Sequence, residues 1–466
     1  MNPDTCHRRI IAPIRALAAI AVCILLSLLT GCAGVSTIIN QQGQENSPQP
    51  YSFVQPMGKG KANHITLVLA FSGGGSRAAA LSYGVLKAMR DIQVASGEKT
   101  VSLLDEVDLI SSVSGGSFTA AYYGLHGNGI FTDYEKRFLR RDVGGALMDR
   151  LLSPVTWFSS RARSEMAVEY YEKTVFQGAT FNDLQAAGGP LIIINASDLG
   201  GGVRFSFLQD YFNLLCSDLG TFPVARAVTA SSAVPLLFSP VVLENYGGCT
   251  PRGQDYLDTY PTQGLSAQVT QVVDGLQTYS NKEDRQYIHL VDGGITDNLG
   301  LMAIYEMVEV AGGVKALARE SGLRPSRQLV LITVNAATQS QNTIESSKEP
   351  PSFSDTLNTV TDIQLHRYNA ATLDLMKQSV KDWARELSTP NEPVTPYFIT
   401  LGFDSLDKAD QAYFNTIPTN LTLTGPQVDR LISQGEALLK QDPIFQRFLR
   451  ENQVIQNRGP RFPLLK

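Results

Sequence analysis

The chain of 466 residues is 43% hydrophobic and 18% charged, a balance that lets a globular protein bury a sizeable core. This composition excludes collagen, a coiled coil and wholesale disorder. The net charge of −5 gives no indication of nucleic-acid binding.

The first predicted element is a short apolar segment near the N-terminus. Residues 16–29 carry no charge, and as a helix they would extend about 21 Å, less than the roughly 30 Å of a bilayer core. Three arginines precede the segment and a small-residue exit follows it, which is typical of an export signal. The exit resembles a bacterial lipobox, which implies that residues 1–31 are a cleaved signal peptide and that Cys32 is lipidated. An uncleaved signal anchor is the alternative.

The next segment, residues 32–61, is predicted to hold the protein to a membrane. A lipid on Cys32 would act as an anchor, because each buried methylene is worth about 0.8 kcal/mol. Ala33 follows Cys32, and by resemblance to lipoproteins of two-membraned bacteria this implies the outer membrane. The rest of the segment is polar and rich in turn-forming residues, which is typical of a flexible tether.

From residue 62 to 344, strand patterns alternate with helix patterns. Ile65–Phe71 is nearly continuous in apolar residues and is followed by glycines and then by apolar residues at helical spacing. The same unit recurs at Val107–Ser112 and Tyr287–Val291, and Leu191–Ala196 and Leu329–Val334 are further buried strands. This alternation predicts an α/β fold with a mostly parallel sheet covered on both faces.

Two other regions differ from this pattern. Residues from about 245 to 284 are polar with little apolar periodicity, and we interpret them as an excursion from the fold. Residues 345–466 are predicted to be a mainly helical C-terminal extension, apart from a strand at Tyr397–Leu401. Thr424 and Gln427 form a capping box before one of its helices.

Two cysteines remain if the signal peptide is removed and Cys32 is lipidated. In an oxidising compartment Cys216 and Cys249 can form a disulfide, and two separate buried thiols are the alternative. Neither has a CxxC partner or a nearby pair of histidines, so the sequence predicts no zinc site.

The first glycine-rich turn follows the first buried strand. Its sequence is Gly-Gly-Gly-Ser-Arg at 73–77, and such a turn before a helix directs backbone N–H groups at an anion. Gly73, Gly75 and Ala78 also fit a dinucleotide-binding pattern, but the required acidic residue is absent from the end of the next strand. A phosphate-binding P-loop is excluded because no Gly-Lys-Ser/Thr follows.

The second turn has the pattern of a nucleophile elbow. Ser112 and Val113 end a buried strand, and Ser114, Gly115 and Gly116 lead into a helix, so that serine stands where the elbow usually has its first glycine. This context would expose the Ser114 hydroxyl and direct the Gly115 N–H at the same point.

A serine nucleophile needs a base, and histidine is the first to consider. Of the four histidines outside the predicted signal peptide (His64, His126, His289 and His366), only His289 lies near a candidate site. It points to the opposite face of its strand from Asp292, and Asp292 lies at the C-terminal end, which in a parallel strand is the functional end. We therefore predict Asp292 as the base and His289 as a structural residue.

These three turns, in this order, resemble the three signatures of the patatin-like phospholipase family. The third is Asp292-Gly293-Gly294, and the resemblance covers about residues 62–340. It implies a three-layer α/β/α fold, a Ser–Asp dyad without histidine, and hydrolysis of acyl esters of lipids. Carried onto this chain, Ser114 is the nucleophile and Asp292 the base; the oxyanion hole comes from Gly73, Gly74, Gly75, Arg77 and Gly115, with Ser112, Gly116, Gly293 and Gly294 completing the motifs.

The resemblance also sets the expected partners. A phospholipid or another acyl ester of the membrane is the expected substrate, and no cofactor or metal is expected. We interpret Asp297 and Asn298 as helix-capping residues and not as calcium ligands. Two alternatives remain, namely an acyltransferase and a noncatalytic envelope lipoprotein that uses the fold for binding or assembly.

Overall fold

The structure is a computed structural model that describes residues 36–43, 51–53, 65–96, 99–152, 162–235, 237–249, 266–322, 326–339 and 348–452. The predicted signal peptide and Cys32 lie outside these residues. Among the residues described, no helix is both long and apolar enough to cross a membrane.

The centre of the fold is a twisted sheet whose strands follow the order β12–β11–β2–β5–β6–β10–β9. Strand β7 pairs antiparallel with the last four residues of β6, beyond the end of β5. The strands of the described ranges are β1 Gln41–Gln42, β2 Ile65–Phe71, β3 Gln93–Ser96, β4 Lys99–Ser102, β5 Val107–Val113, β6 Leu191–Asp198, β7 Val203–Ser206, β8 Ser217–Asp218, β9 Val241–Glu244, β10 Tyr287–Asp292, β11 Gln328–Asn335 and β12 Thr395–Gly402. From β12 to β6 all pairs are parallel, which confirms the predicted mostly parallel sheet. Every residue of β5 is buried, as expected of a strand covered on both faces.

Helices cover both faces of this sheet. They are α1 Gly75–Asp91, α2 Gly115–His126, α3 Ile130–Tyr134, α4 Val143–Leu152, α5 Arg163–Tyr171, α6 Phe181–Ala187, α7 Gln209–Leu214, α8 Val224–Ser231, α9 Ala267–Gln277, α10 Gly294–Asp297, α11 Leu301–Val310, α12 Val314–Glu320, α13 Phe353–Leu387, α14 Lys408–Asn415, α15 Gly425–Gln441 and α16 Pro443–Glu451. Helices α1, α2 and α8 pack on one face, and α11 and α13 pack on the other. This is the predicted three-layer architecture.

One strand runs in the direction opposite to the prediction. The assignment of Tyr287–Val291 to the parallel strands is wrong, because β10 pairs antiparallel with both β6 and β9. Strand β6 extends past the end of β5: Val113 pairs with Asn195, whereas Asp292 pairs with Ala196. Strand β10 therefore begins beyond the carboxyl edge and ends at it, which brings Asp292 level with the turn after β5.

The described part of the C-terminal extension packs on the same sheet as residues 65–339. Its strand β12 pairs in parallel with β11 along eight residues and forms one edge of the sheet. Helix α15, which begins at the predicted capping box of Thr424 and Gln427, packs closely on α1. Gly435 allows this approach, since a Cβ there would lie 2.3 Å from the Leu81 carbonyl oxygen. On both sides of the predicted boundary at residue 344, the described residues thus contribute to one sheet.

Two further expectations need correction. Residues 36–43 and 51–53, predicted as part of a flexible tether, contact the body: Gln41 and Gln42 pair with β8, and the buried Tyr51 hydroxyl donates to the Ile192 carbonyl. The polar stretch from 245 to 284 contains α9, which buries Val269 and Val273. In the sequence, glutamines and a threonine interrupt the apolar residues of this helix, so its buried face was not recognised.

Candidate active site

Ser114 occupies a strained turn between β5 and α2. Its backbone has φ 50° and ψ −121°, a left-handed region that serine rarely adopts. The Ser114 N–H donates to the Ser231 hydroxyl at 2.8 Å, and that hydroxyl donates to the Asn195 carbonyl at 2.6 Å. Helix α8, which ends at Ser231, therefore helps to hold the turn in this conformation.

The Ser114 hydroxyl donates directly to Asp292. The distance from Oγ to Oδ2 is 2.9 Å, and the second carboxylate oxygen, Oδ1, accepts the Gly294 N–H at 2.8 Å. Both side chains are buried, with relative exposures of 6% for Ser114 and 8% for Asp292. Burial raises the pKa of the Asp292 carboxyl to about 6, although the hydrogen bonds from Gly294 and Ser114 oppose the shift. This pKa lies in the range that suits a general base at neutral pH.

The backbone on both sides of Asp292 is fixed by hydrogen bonds. The Asp292 N–H donates to the Ala233 carbonyl, the Gly293 N–H donates to the Ser231 carbonyl, and the Asp292 carbonyl accepts the Ser197 hydroxyl. A Cβ on Gly293 would lie 2.3 Å from the Asn195 carbonyl oxygen, so only glycine fits there.

The first glycine turn lies directly over the elbow. Gly75 has φ 60°, and a Cβ on it would lie 2.2 Å from the Asn420 carbonyl oxygen. A Cβ on Gly115 would lie 1.9 Å from the Gly75 carbonyl oxygen, so the two turns pack backbone against backbone. Gly75 and Gly115 are the first residues of α1 and α2, where N–H groups have no partner within the helix. No hydrogen bond within the described ranges uses these N–H groups or that of Gly74.

Two residues assigned to the oxyanion hole are engaged elsewhere. The Gly73 N–H donates to the Asn298 carbonyl at 2.9 Å. The buried guanidinium of Arg77 donates to the Ala336 carbonyl, to the Ile417 carbonyl and to the Thr419 hydroxyl. Arg77 thus links the glycine turn to the loop at residues 417–419. None of its hydrogen bonds in the described part of the chain involves Ser114.

The serine that replaces the elbow's first glycine fits without a clash. The Ser112 hydroxyl is fully buried and donates to the Ile193 carbonyl of β6 at 2.9 Å. The Asn195 amide donates to the Ser112 carbonyl at 3.1 Å and to the Ser111 hydroxyl at 3.0 Å. Gly116 is required for another reason: a Cβ there would lie 2.7 Å from the Ser72 carbonyl oxygen.

The other candidate residues have structural surroundings. In the described ranges no histidine contacts the dyad: His289 is exposed on β10, His126 packs on Tyr122, and His366 contacts the Thr338 carbonyl. His64 lies outside these ranges. The Asp297 carboxylate accepts the N–H groups of Leu301 and Ala303 and so caps α11.

Asn298 follows Asp297, and its carbonyl accepts the Gly73 N–H. In the described part of the chain, no cluster of histidine, cysteine or carboxylate side chains could hold a metal ion. Cys216 and Cys249 form a disulfide, the first of the two alternatives that the sequence left open.

Sequence reasoning missed two contributors to the site. No role was predicted for Ser231, yet its hydroxyl links the elbow to β6. The loop from Ile417 to Asn420 accepts hydrogen bonds from Arg77 and from the Ser76 N–H, although it is more than 300 residues away in the chain. Neither has a local signal, because each acts only through contacts that folding creates.

Five exposed apolar side chains lie in the segments at residues 234–237 and 295 and on α13. We define the apolar rim as Val234, Leu237, Ile295, Val360 and Ile363, whose relative exposures lie between 42% and 54%. Val234 follows the residue that accepts the Asp292 N–H, Ile295 follows Gly294, and α13, which carries the last two, contacts α10.

The sequence profile of the patatin-like phospholipase family matches residues 69–305, slightly more than half of the chain. Among solved structures, the chain is similar to human GIVD cytosolic phospholipase A2, with 12% identity, a TM-score of 0.40, and coverage of 83% of this chain and 62% of that one. It is also similar to full-length ExoU from Pseudomonas aeruginosa in complex with SpcU, with 15% identity, a TM-score of 0.21, and coverage of 62% and 67%. The chain thus spans less than two thirds of the cytosolic phospholipase. No curated protein matches it.

Proposed function

Because the chain belongs to the patatin-like phospholipase family, we propose that it hydrolyses acyl esters of membrane lipids with Ser114 as nucleophile and Asp292 as base. The observation that carries this proposal is the 2.9 Å hydrogen bond between the Ser114 hydroxyl and the Asp292 carboxylate in a buried site. Family membership supports the coarser conclusion of a lipid ester hydrolase.

In the first step the Ser114 oxygen attacks the ester carbonyl while its proton passes to Asp292 Oδ2. With a pKa of about 6, Asp292 is mainly ionised at neutral pH and can take this proton. The ester C–O bond then breaks, the leaving alkoxide takes the proton from Asp292, and the acyl group remains on Ser114. In the second step a water gives its proton to Asp292 and attacks the acyl-enzyme, which releases the fatty acid and returns the proton to Ser114.

The negative oxygen that forms in each step needs donors, and three backbone N–H groups are available. Gly115 follows the nucleophile, Gly75 packs against Gly115, and Gly74 precedes Gly75 in the same turn. Loss of one such donor typically costs about 3 to 4 kcal/mol in the transition state. The helix termini of α1 and α2 add positive potential at the same point.

The apolar rim supports a substrate that lies in a lipid surface. Large exposed apolar patches next to a site mark contact with a membrane or a partner. The proposal includes export, a lipid on Cys32 and attachment to the outer membrane, since a tethered enzyme meets membrane esters at a high effective concentration.

The test is an assay of the full-length protein on a soluble short-chain ester and on phospholipid vesicles, together with labelling by an alkyl phosphonate. We expect both activities and the label in the wild type, and neither activity nor label in Ser114→Ala with an unchanged circular dichroism spectrum. Labelling that persists in Ser114→Ala, or equal activity in the two proteins, would contradict the assignment of the nucleophile.

A further inference from the structure

The segment at residues 36–43, which we call the strap, lies along one edge of the sheet. At its start the Ser36 hydroxyl donates to the Pro240 carbonyl, just before β9, at 3.2 Å. Further along, the Asn40 side chain exchanges two hydrogen bonds with the backbone of Glu244, the last residue of β9. The strap therefore runs beside β9, the last strand in the sheet order, and in the same direction.

Buried polar groups hold the strap in this position. Arg226 and Glu165 form an ion pair in which the two side chains are 5% and 9% exposed. Glu165 accepts the Thr37 N–H at 3.2 Å, and Arg226 donates to the Thr37 carbonyl at 3.1 Å. The Asn40 amide, which is buried, also donates to the Ser217 hydroxyl at 2.7 Å. Because the strap satisfies buried groups of the body, it belongs to the fold.

The strap begins at the end of the sheet where the dyad lies. In the antiparallel pair of β9 and β10, Val241 lies opposite Leu290. The start of β9 is thus level with the last residues of β10, which ends at Asp292. Ser36, held at Pro240, marks the point where the chain leaves the body toward Cys32.

The connection from this point to the proposed lipid is short. Four residues lead from Cys32 to Ser36, and they span at most about 14 Å. A globular chain of about 400 residues is about 50 Å across. The opposite end of the sheet therefore cannot contact a membrane that holds Cys32. A flexible tether extending to residue 61 would have allowed the body to turn freely.

The loop that receives the strap also carries part of the apolar rim. Leu237 is three residues before Pro240, and its N–H donates to the Val234 carbonyl. The side chains of Val234 and Leu237 are both 42% exposed. These apolar side chains and the start of the strap thus lie at the same end of the sheet, where exposed apolar surface is suited to a membrane.

We propose that the strap fixes the orientation of the protein on its own membrane, with the dyad end of the sheet and the loop at residues 234–240 against the phospholipid surface that carries the Cys32 lipid. The substrate then comes from the leaflet that holds the protein. This inference rests on the lipid anchor of the proposed function and does not require the hydrolytic reaction.

The experiment measures which end of the sheet contacts lipid. Leu237→Trp and Tyr287→Trp place a probe at two side chains of similar exposure, 42% and 45%, at opposite ends of the pair β9 and β10. Both variants also carry Ser114→Ala, so that the lipid is not consumed and the result does not depend on hydrolysis. The full-length chain is expressed in a bacterium with two membranes, purified, and reconstituted into phospholipid vesicles whose brominated acyl chains quench tryptophan fluorescence.

The fluorescence of the added tryptophan is the difference from Ser114→Ala alone. We expect brominated lipid to lower it at least twofold at position 237 and by less than a tenth at position 287. Flotation of the same vesicles tests the anchor. Protein that does not float would overturn the anchor and the orientation with it, whereas floating protein with equal quenching at the two positions would overturn the orientation alone.

Two insertions test the part played by the strap. About 20 Gly/Ser residues between Gly34 and Val35 add about 25 Å to the connection, and we expect quenching at position 237 to fall at least twofold. The same insertion between Asn46 and Ser47, beyond the strap, is the matched control and should leave quenching unchanged. In a flexible tether the two insertions would act alike, so equal effects would overturn the role of the strap.

Discussion

Two aspartates five residues apart, Asp292 and Asp297, stand in similar environments but make different contacts. Both are buried, and burial raises the pKa of each to about 6. Asp292 accepts hydrogen bonds from the Ser114 hydroxyl and from one backbone N–H, whereas Asp297 accepts hydrogen bonds from two backbone N–H groups at the start of α11. A raised pKa therefore does not distinguish a base from a cap, since burial alone produces it. The hydrogen-bond donors distinguish the two residues, because of the two only Asp292 accepts from a hydroxyl that can become a nucleophile.

The largest difference between the two aspartates is expected in catalysis. Asp292→Asn removes the base and should lower kcat/KM for a soluble short-chain ester by about 10³-fold or more. Asp297→Asn leaves the Ser114–Asp292 pair intact and should change kcat/KM by less than about threefold. Steady-state kinetics on both purified variants, with circular dichroism to verify folding, measures this. A similar loss in both variants would mean that the carboxylate at 292 has no special role.

The pH dependence of the rate sharpens the same comparison. Since Asp292 must be ionised to accept the Ser114 proton and its pKa is about 6, kcat/KM for an uncharged soluble ester should be constant above pH 7. Below pH 6 it should fall about tenfold per pH unit. The profile of Asp297→Asn should superimpose on that of the wild type after scaling. A profile that shifts with the residue at 297 would assign the titration to the wrong aspartate.

The two substitutions should change the free energy of unfolding differently as the pH changes. A carboxyl whose folded pKa is raised from its ordinary value to about 6 contributes stability below about pH 4, and this is lost as pH rises through 6, by at most about 3 kcal/mol. An amide at 292 can keep both hydrogen bonds without a buried charge, so Asp292→Asn should be at least as stable as the wild type at pH 8.

An amide at 297 offers one acceptor to two N–H donors, so Asp297→Asn should cost about 1 to 3 kcal/mol at pH 4. The same linkage should make this cost smaller as pH rises. Urea unfolding at pH 4, 6 and 8 measures both variants. Parallel stability curves for all three proteins would contradict the raised pKa values.

Local patterns in the sequence were sufficient for much of the fold. Ile65–Phe71 is nearly continuous in apolar residues and is followed by glycines and a helix pattern, and Val107–Val113 precedes the same kind of turn, so both were identified as buried parallel strands before any contact was known. The direction of β10 could not be obtained in this way, because an apolar run reads the same for either direction. Only the pairing of Asp292 with Ala196 fixes it.

Part of the candidate site was also predictable from the sequence. Ser114 follows the end of β5 and Asp292 ends β10, each next to glycines, so their positions followed from local patterns, and the structure brings their side chains together. Gly74, Gly75 and Gly115 were named from the sequence as oxyanion donors, and this stays a prediction. The sequence did not indicate that Asn298 engages the Gly73 N–H or that Ile417 engages the Arg77 guanidinium. Long-range contacts of this kind have no periodicity or spacing that a sequence could display.

The smallest expected effect concerns the residues between the two aspartates. Ile295 is 54% exposed between Asp292, the proposed base, and the capping residue Asp297, so its side chain is available to contact the proposed lipid surface. Ile295→Ser should lower activity on phospholipid vesicles about five- to tenfold, because it removes apolar area that would enter the bilayer. Activity on a soluble ester should not change, and Ile444→Ser, at an exposed isoleucine of the C-terminal helix α16, should affect neither substrate. Equal losses on both substrates would place Ile295 in the support of Asp292 instead of at the membrane.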